Sequence, residues 1–242
     1  MVVLVFDTKT NKFRRVSYET PENFGQKLTR IETNGENIYI WRYCSDNEES
    51  RLFKFNITTG SITHIVSLES HDVMGHCPII GDRMYALGTG WDDEIYLLTI
   101  SLSEKELVDE TLLPRLCTET FPFITTEADE LYLFESISNN ERKVHKIVNG
   151  ELLQISHDHF NEREELIRMN SWLPDRITYM RINENEIAVC MDKFDFEKLT
   201  WNREELDKTD PWGFFDVARI VAKTQVDGVR YVITNKLRIR GI

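Results

Sequence analysis

The acidic run Trp91-Asp92-Asp93-Glu94 has residue types that could bind a cation. Three consecutive carboxylates offer the oxygen ligands that calcium prefers. A dedicated calcium loop, however, places its acids at alternate positions around a turn glycine, and this run does not follow that pattern. We therefore expect a solvated loop between two strands here.

Histidines stand near cysteine or aspartate in two short stretches, HDVMGHC (residues 71–77) and HDH (157–159). His71, His76 and Cys77 carry the donor atoms of zinc ligands. A tetrahedral zinc site needs three or four converging ligands, and the remaining candidates have no spacing that would complete one. We expect polar loop residues in both stretches, and we predict no metal and no cofactor.

The sequence lacks the usual motifs for a nucleophile or a phosphate group. It has no GxSxG turn for a catalytic serine, and neither GxGxxG nor GxxxxGK[ST] for phosphate binding. An enzymatic function has to be argued from a site, and spacing alone identifies none. We therefore predict that the protein is not an enzyme.

Aromatic side chains cluster in residues 201–215, and they are Trp201, Trp212, Phe214 and Phe215. Exposed aromatics are enriched at interaction hot spots, so we predict that these residues contact a partner. They could equally pack this segment onto the rest of the fold.

Arg42 and Arg176 join the candidate set because they lie near predicted strand ends and could line a central pocket. Surface ion pairs are the commoner explanation for such arginines.

The composition limits the classes of partner. The chain has 242 residues, of which 41% are hydrophobic and 11% aromatic, so it can form a sizeable core. Its formal net charge of −12 argues against binding to nucleic-acid phosphates or to an anionic membrane. The cysteines at 44, 77, 117 and 190 form no CxxC pair, and no signal peptide is visible. We expect reduced thiols in a cytoplasmic protein that binds neither nucleic acid nor membrane.

An apolar-Tyr-apolar strand recurs along the chain. Tyr39, Tyr85 and Tyr132 occupy equivalent places in NGENIYIWRY, IGDRMYALGTG and EADELYLFESI, at spacings of 46 and 47 residues. A fourth copy, NENEIAVCMDKF (183–194), has Ala188 where the others have Tyr. Other alternating runs surround each copy, with turn signals between them. A period near 46 with about four short strands per unit predicts a β-propeller, which is built from four-stranded blades.

Two segments favour helix over strand. FNEREELIRMNSWLP (160–174) and WNREELDKTDPWG (201–213) each contain an Asn followed three residues later by Glu, which is typical of a helix start, and each reaches a proline. The predicted fold is therefore all-β, a propeller of about five four-stranded blades with short helical loop insertions, whether or not the ring is complete.

The two chain ends are predicted to share one blade. Phe6-Asp7 aligns with Phe55-Asn56, 49 residues later, so the chain starts with the outer strands of a blade. The run DGVRYVITNKLRIRGI (227–242) can supply its inner strands. Such sharing removes two exposed sheet edges, which would otherwise invite aggregation. We expect residues 1–242 to form a single propeller domain.

The repeat resembles that of Kelch proteins. FDTKTNKFRRVSYETP looks like the outer hairpin of a Kelch repeat, and IGDRMYALGTG followed by DEIYLLTI is similar to its other half. The family's Gly-Gly doublet is missing, and Phe13 and Ile62 replace the usual Trp of the fourth strand. The resemblance implies a protein-interaction scaffold, often a substrate adaptor for ubiquitination, although no BTB or F-box region is visible in these residues.

The sequence thus leads to one function and one alternative. We predict a non-enzymatic scaffold or adaptor of the Kelch-like type that binds another protein through rim loops, with a ubiquitin-ligase component as a candidate partner. The alternative is a small-molecule or carbohydrate-processing propeller enzyme with carboxylates or a metal in an axial pocket.

Overall fold

A computed structural model gives the fold of the chain. It describes residues 2–7, 12–17, 19–21, 27–34, 37–44, 48–56, 59–69, 71–90, 94–114, 116, 122–138, 141–159, 165–169, 176–182, 187–209, 218–226 and 229–236. Side chains are described for residues 19–21, 30–34, 37–44, 48–56, 59–69, 71–90, 94–114, 116, 122–135, 141–158 and 192–203.

The described residues form β-strands and turns, with no helix among them. In chain order the strands are β1 (Val2–Asp7), β2 (Lys12–Ser17), β3 (Lys27–Thr33), β4 (Asn37–Cys44), β5 (Glu49–Asn56), β6 (Ile62–Glu69), β7 (Asp72–Met74), β8 (Ile79–Ile80), β9 (Arg83–Thr89), β10 (Ile95–Ser101), β11 (Glu106–Leu112), β12 (Phe123–Glu127), β13 (Glu130–Ser138), β14 (Glu141–Val148), β15 (Glu151–His159), β16 (Glu165–Met169), β17 (Arg176–Ile182), β18 (Ile187–Asp195), β19 (Thr200–Thr209), β20 (Ala218–Val226) and β21 (Val229–Lys236). Accordingly, no helix long and apolar enough to cross a membrane occurs in this described part of the chain.

The strands pair in chain order as antiparallel meanders. The first blade is β3–β6, the second is β7–β11, the third is β12–β15 and the fourth is β16–β19. In the second blade β7 and β8 both pair with β9, so together they take the place of one first strand. The remaining strands form the hairpins β1–β2 and β20–β21. The predicted all-β fold of four-stranded sheets is confirmed, and the sharing of a blade by the two hairpins stays a prediction.

The 46–47-residue repeat marks the second strand of each blade. Tyr39 lies in β4, Tyr85 in β9 and Tyr132 in β13. The second strand of the fourth blade is β17, which contains Tyr179, 47 residues after Tyr132. The segment 183–194, taken from the sequence as the fourth copy, instead contains β18, which is the third strand of its blade.

The predicted helical insertions are wrong where the structure describes them. Residues 165–169 and 200–209 are strands β16 and β19, the first and last of the fourth blade. In β19, Trp201 packs on Phe194 with ring centroids 5.3 Å apart, and Arg203 Nε donates to Asp192 Oδ1 at 3.3 Å. Trp201 and Arg203 are two residues apart and both contact β18, which is the period of a strand. Cross-strand pairing therefore outweighs the local helix signal of Asn202 and Glu205.

The second blade is buried on both faces. Met84 and Leu98 lie in an apolar layer with residues of the first blade, whereas Leu87 and Leu97 lie in a layer with residues of the third. Because successive side chains of a strand point to opposite faces, neighbouring residues enter different layers. Each fully buried leucine contributes about 1.5–3 kcal/mol. The apolar runs in β9 and β10 therefore allow this blade to pack face to face against the blade on either side.

Two compact units divide the chain. One comprises Tyr18–Phe160 with Asp195–Thr200, and it contains the first three blades. The other comprises Val2–Ser17, Asn161–Phe194 and Trp201–Ile242, and it contains both hairpins and most of the fourth blade.

Candidate functional site

Trp201 is the second residue of β19 in the fourth blade and is half-buried. Its ring makes an edge contact with Phe194 of the preceding strand. Part of the side chain therefore packs within the blade and part is exposed, so its predicted partner contact stays a prediction. The other predicted aromatics, Trp212, Phe214 and Phe215, lie outside the described residues.

The two predicted arginines lie at different positions in their blades. Arg42 is in β4 opposite Arg51, close to the end where β4 leads into β5. It is half-buried, and burial lowers the pKa of its guanidinium. Arg176 starts β17 and pairs with Lys193, close to the turn that follows β18. The predicted common pocket for these arginines is not tested by these positions.

The metal-ligand candidates do not come together. His71 Nε2 lies 3.3 Å from Glu110, and its Nδ1 lies 3.1 Å from the carbonyl oxygen of Glu69. His157 Nε2 lies 2.7 Å from Glu141. Asp92 and Asp93 fall outside the described residues. Among the residues that are described, no group of three or more possible ligands could hold a metal ion.

A polar cluster joins the first strands of the first and second blades. Glu32 Oε1 lies 2.9 Å from His76 Nδ1 and accepts the backbone N–H of Cys77, also at 2.9 Å. Arg30 Nε donates to the carbonyl oxygen of Gly75 at 2.7 Å. Three hydrogen bonds therefore hold the segment between β7 and β8 against β3.

Gly75 allows the first strand of the second blade to bend at this cluster. Its φ is +74°, in the region that favours glycine. A Cβ on Gly75 would lie 3.7 Å from Phe123 of the third blade, so the bend runs beside that ring. The bend presents His76 and Cys77 to Glu32, and it explains why the sequence GHC, although short of zinc ligands, forms a defined arrangement.

The Glu32–His76 pair has the geometry of an oriented imidazole. An ionised carboxylate can only accept hydrogen bonds, so the Nδ1 atom that faces Glu32 must carry a proton. In the neutral ring the lone pair is then on Nε2. The side chain of His76 is 31% exposed, whereas that of Glu32 is 11% exposed. The carboxylate is thus shielded while the ring reaches solvent, which is suited to general-base chemistry.

Cys77 is not suited to nucleophilic chemistry. The residue is fully buried, and burial raises the pKa of its thiol well above the usual value. The Glu32 carboxylate raises that pKa further, and the smaller effects of Arg30 and Trp41 oppose it. Because the thiolate is the reactive form, a protonated buried thiol is inert.

The turn between β18 and β19, Asp195–Thr200, is a second ordered feature. Asp195 Oδ1 accepts the backbone N–H groups of Glu197 at 3.1 Å and Lys198 at 3.0 Å. The Phe196 ring lies 4.8 Å from that of Tyr132, centroid to centroid. Leu199 has a φ of +55° and is 39% exposed. The turn is therefore fixed at its base and displays one apolar side chain.

The sequence contained a signal for the Glu32–His76 pair that its motifs did not reveal. The two residues are 44 positions apart, and Arg30 and Gly75 are 45 apart. These separations are close to the 46–47-residue repeat, which brings equivalent strands of neighbouring blades side by side. His76 was expected to be a polar loop residue, whereas the structure gives it a defined carboxylate partner.

Sequence comparisons do not assign the chain to a family. No family model matches it, and no curated protein matches it. The Kelch resemblance is therefore not confirmed at the level of a family.

Comparison with solved structures does show the fold. TolB from Acinetobacter baumannii superposes with a TM-score of 0.53 at 13% identity, over 96% of this chain and 57% of TolB. The fold is a β-propeller. A protein proposed to be a 6-phosphogluconolactonase from Bacteroides uniformis gives 0.50 at 14% identity, over 96% of this chain and 76% of that one. The propeller domain of the Trilobed protease from Pyrococcus furiosus gives 0.47 at 12% identity, over 98% and 71%. The chain spans just over half of TolB.

The prediction that the protein is not an enzyme has to be corrected. The solved structures that superpose on this chain include the proposed lactonase as well as TolB, so the fold gives no ground for excluding enzymatic activity. The missing serine and phosphate motifs excluded only the sites that those motifs describe. A propeller can assemble a site from residues one repeat apart, which no local motif records.

Proposed function

We propose that the protein is a propeller scaffold that binds another protein through the β18–β19 turn. The observation that carries the proposal is Leu199, a bulky apolar residue that is exposed and held in the left-handed conformation. That conformation costs an L-residue roughly 1–2 kcal/mol. Backbone strain that the surrounding structure maintains is concentrated at functional sites.

The base of the turn supports this role because it limits motion. Asp195 accepts two backbone N–H groups and lies 3.4 Å from the ammonium group of Lys198, while Phe196 packs on Tyr132 and lies 6.2 Å from the Phe134 ring. A side chain on a fixed turn loses little conformational entropy when it binds. The matching surface on a partner is an apolar pocket with a polar rim facing Glu197 and Lys198.

The residues predicted from the sequence extend this proposal along the chain. Trp201 is the second residue of the strand that follows the turn, and Trp212, Phe214 and Phe215 come later in the sequence than that strand. We include them, with Arg42 and Arg176, as candidate contacts to be tested after Leu199. The Kelch resemblance makes a ubiquitin-ligase component the first class of partner to test.

The decisive variant is Leu199→Gly, since glycine adopts the left-handed conformation without strain and removes the apolar side chain. We expect partner binding to be lost while the free energy of unfolding is unchanged or raised by up to about 1 kcal/mol. Affinity purification from native cells identifies the partner, and calorimetry with the purified partner measures the loss.

Leu153→Ser is the matched control, because Leu153 is a more exposed leucine on the last strand of the third blade. It should bind the partner as the wild type does. Equal binding by wild type and Leu199→Gly would show that the turn is not the contact site.

A further inference from the structure

We propose that His76 is the general base of a hydrolytic site for small carboxylic esters, cyclic esters included, where the first strands of the first and second blades meet. This activity is separate from partner binding by the β18–β19 turn. It rests on the arrangement of Glu32, His76 and Gly75.

The first step of the argument is the fixed orientation of the imidazole. Glu32 Oε1 accepts both the His76 Nδ1–H and the Cys77 N–H, so the carboxylate is held by a backbone group as well as by the ring. Two bonds to one oxygen restrain the carboxylate, and the carboxylate in turn restrains the ring. The remaining ring nitrogen, Nε2, is left as a base with a defined direction.

The second step is access to that nitrogen. Within the described part of the chain, Glu32 is the one hydrogen-bond partner of His76, through Nδ1. The side chain of His76 is 31% exposed, so water and a small substrate can reach it. Gly75, just before it, places no side chain beside the ring, and Phe123 of the third blade supplies apolar surface close to Gly75. A small acyl group can lie against this surface.

The reaction balances with water as the only co-reactant. Water attacks the ester carbonyl carbon while one of its protons passes to His76 Nε2. The tetrahedral intermediate collapses, the acyl C–O bond breaks, and the imidazolium returns the proton to the leaving alkoxide. An acid and an alcohol are formed and nothing is oxidised or reduced. Esters are favoured over amides, because the buried thiol of Cys77 offers no nucleophile and an alkoxide leaves more readily than an amide anion.

Two other histidine–glutamate pairs show what is particular to His76. His145 faces Glu135 at 2.9 Å, but its side chain is only 10% exposed. His157 faces Glu141 at 2.7 Å with a side chain 35% exposed, which is close to the exposure of His76. His157 bonds through Nε2 and belongs to the outer strand β15, away from the strand ends that meet at Gly75. It is the matched control for nonspecific catalysis by a surface imidazole.

The test measures hydrolysis of p-nitrophenyl acetate and of δ-valerolactone by the full 242-residue chain. We expect saturable hydrolysis, a fall in kcat/KM of about 100-fold or more in His76→Gln, and no change in His157→Gln. If His76→Gln retains the wild-type rate, or if His157→Gln loses as much, the proposal is overturned.

Glu32→Gln separates catalysis from a purely structural effect. The amide oxygen can still accept from His76 and Cys77, so the fold should persist, but the negative charge is lost. We expect the wild-type rate to fall when the pH is lowered, because a protonated imidazole cannot act as a base. In Glu32→Gln the maximal rate should fall. A wild-type rate that does not fall in acid contradicts the proposal even if His76→Gln fails to fold.

Discussion

Two of the glutamate–histidine pairs in the first three blades have the same composition but different surroundings. Glu32 and His76 join two blades at their first strands, and the histidine is 31% exposed with Nδ1 bonded. Glu135 and His145 lie in one blade, and the histidine is 10% exposed with Nε2 bonded. His145 Nδ1 is buried and has no hydrogen-bond partner in the described structure. Residue type is therefore a poor guide to role, because access to the second ring nitrogen decides whether the pair can act on a substrate.

The largest expected effect is at the buried pair. His145→Ala removes the imidazole from a carboxylate that is 4% exposed, and loss of one member of a buried pair costs about 3–5 kcal/mol. We expect the free energy of unfolding to fall by about 3 kcal/mol, measured by urea denaturation. The double variant Glu135→Leu with His145→Leu should recover most of that loss, because an apolar pair of similar volume needs no partner. A loss below about 1 kcal/mol in His145→Ala would mean that the pair behaves like a surface pair.

A smaller effect is expected at the bend beside the exposed pair. Gly75→Ala places a Cβ on a residue with φ of +74°, at a cost of about 1 kcal/mol. It also shifts the segment that carries His76, so ester hydrolysis should fall. Gly81→Ala is the control, because Gly81 has φ of +58° and open space around its Cβ position. We expect Gly81→Ala to be destabilised to a similar extent with unchanged hydrolysis. An equal loss of hydrolysis in both variants would show that the bend at Gly75 has no specific role in the site.

The smallest effect concerns two tyrosines at equivalent positions of the repeat. Burial raises the pKa of Tyr132 to about 12, and its hydrogen bond to Glu130 adds to the shift. Burial also raises the pKa of Tyr39, but Asn34 donates a hydrogen bond that opposes the shift. The neutral form of Tyr132 is favoured by folding, so its contribution is complete below about pH 10 and is lost as the pH rises to about 12.

Tyr132→Phe should therefore lose less stability than the wild type between about pH 10 and 12. Absorbance titration of the folded protein gives a second readout, in which Tyr132→Phe removes a transition near pH 12 and Tyr39→Phe removes a different transition. If both variants remove the same transition, Tyr39 and Tyr132 have the same pKa, and the different hydrogen bonds of the two tyrosines do not have the expected effect.

The repeat in the sequence predicted the fold because strand pairing in a meander is local. The spacing of Tyr39, Tyr85 and Tyr132 identified the second strand of three blades. One further period leads to Tyr179 in β17, but the sequence analysis placed the fourth copy at 183–194 because residues 187–192 alternate clearly. In β19 the local helix signal was misleading, because Trp201 and Arg203 gain more from partners on β18 than from a helical turn.

The Glu32–His76 pair could not be predicted from a motif because its members come from different blades. Each residue alone stands in an ordinary polar context, and only the stacking of β3 against β7 and β8 brings them together. The role of the bend at Gly75 could not be predicted either, because a lone glycine in a strand pattern indicates only a bulge or a close approach of the backbone. The turn residue Leu199 is a similar case, because its left-handed backbone follows from the Asp195 turn and not from its own propensity.

Nitrogen NMR of the histidine rings tests the contrast between the two pairs most directly. Long-range correlation spectra at neutral pH report which ring nitrogen carries the proton, and Glu32→Gln and Glu135→Gln assign the two rings. We expect His76 to carry its proton on Nδ1, with Nε2 open to solvent, and His145 to carry its proton on Nε2, facing Glu135. A spectrum in which His76 is neutral with its proton on Nε2 would contradict the account, because Glu32 would then no longer orient a base toward solvent.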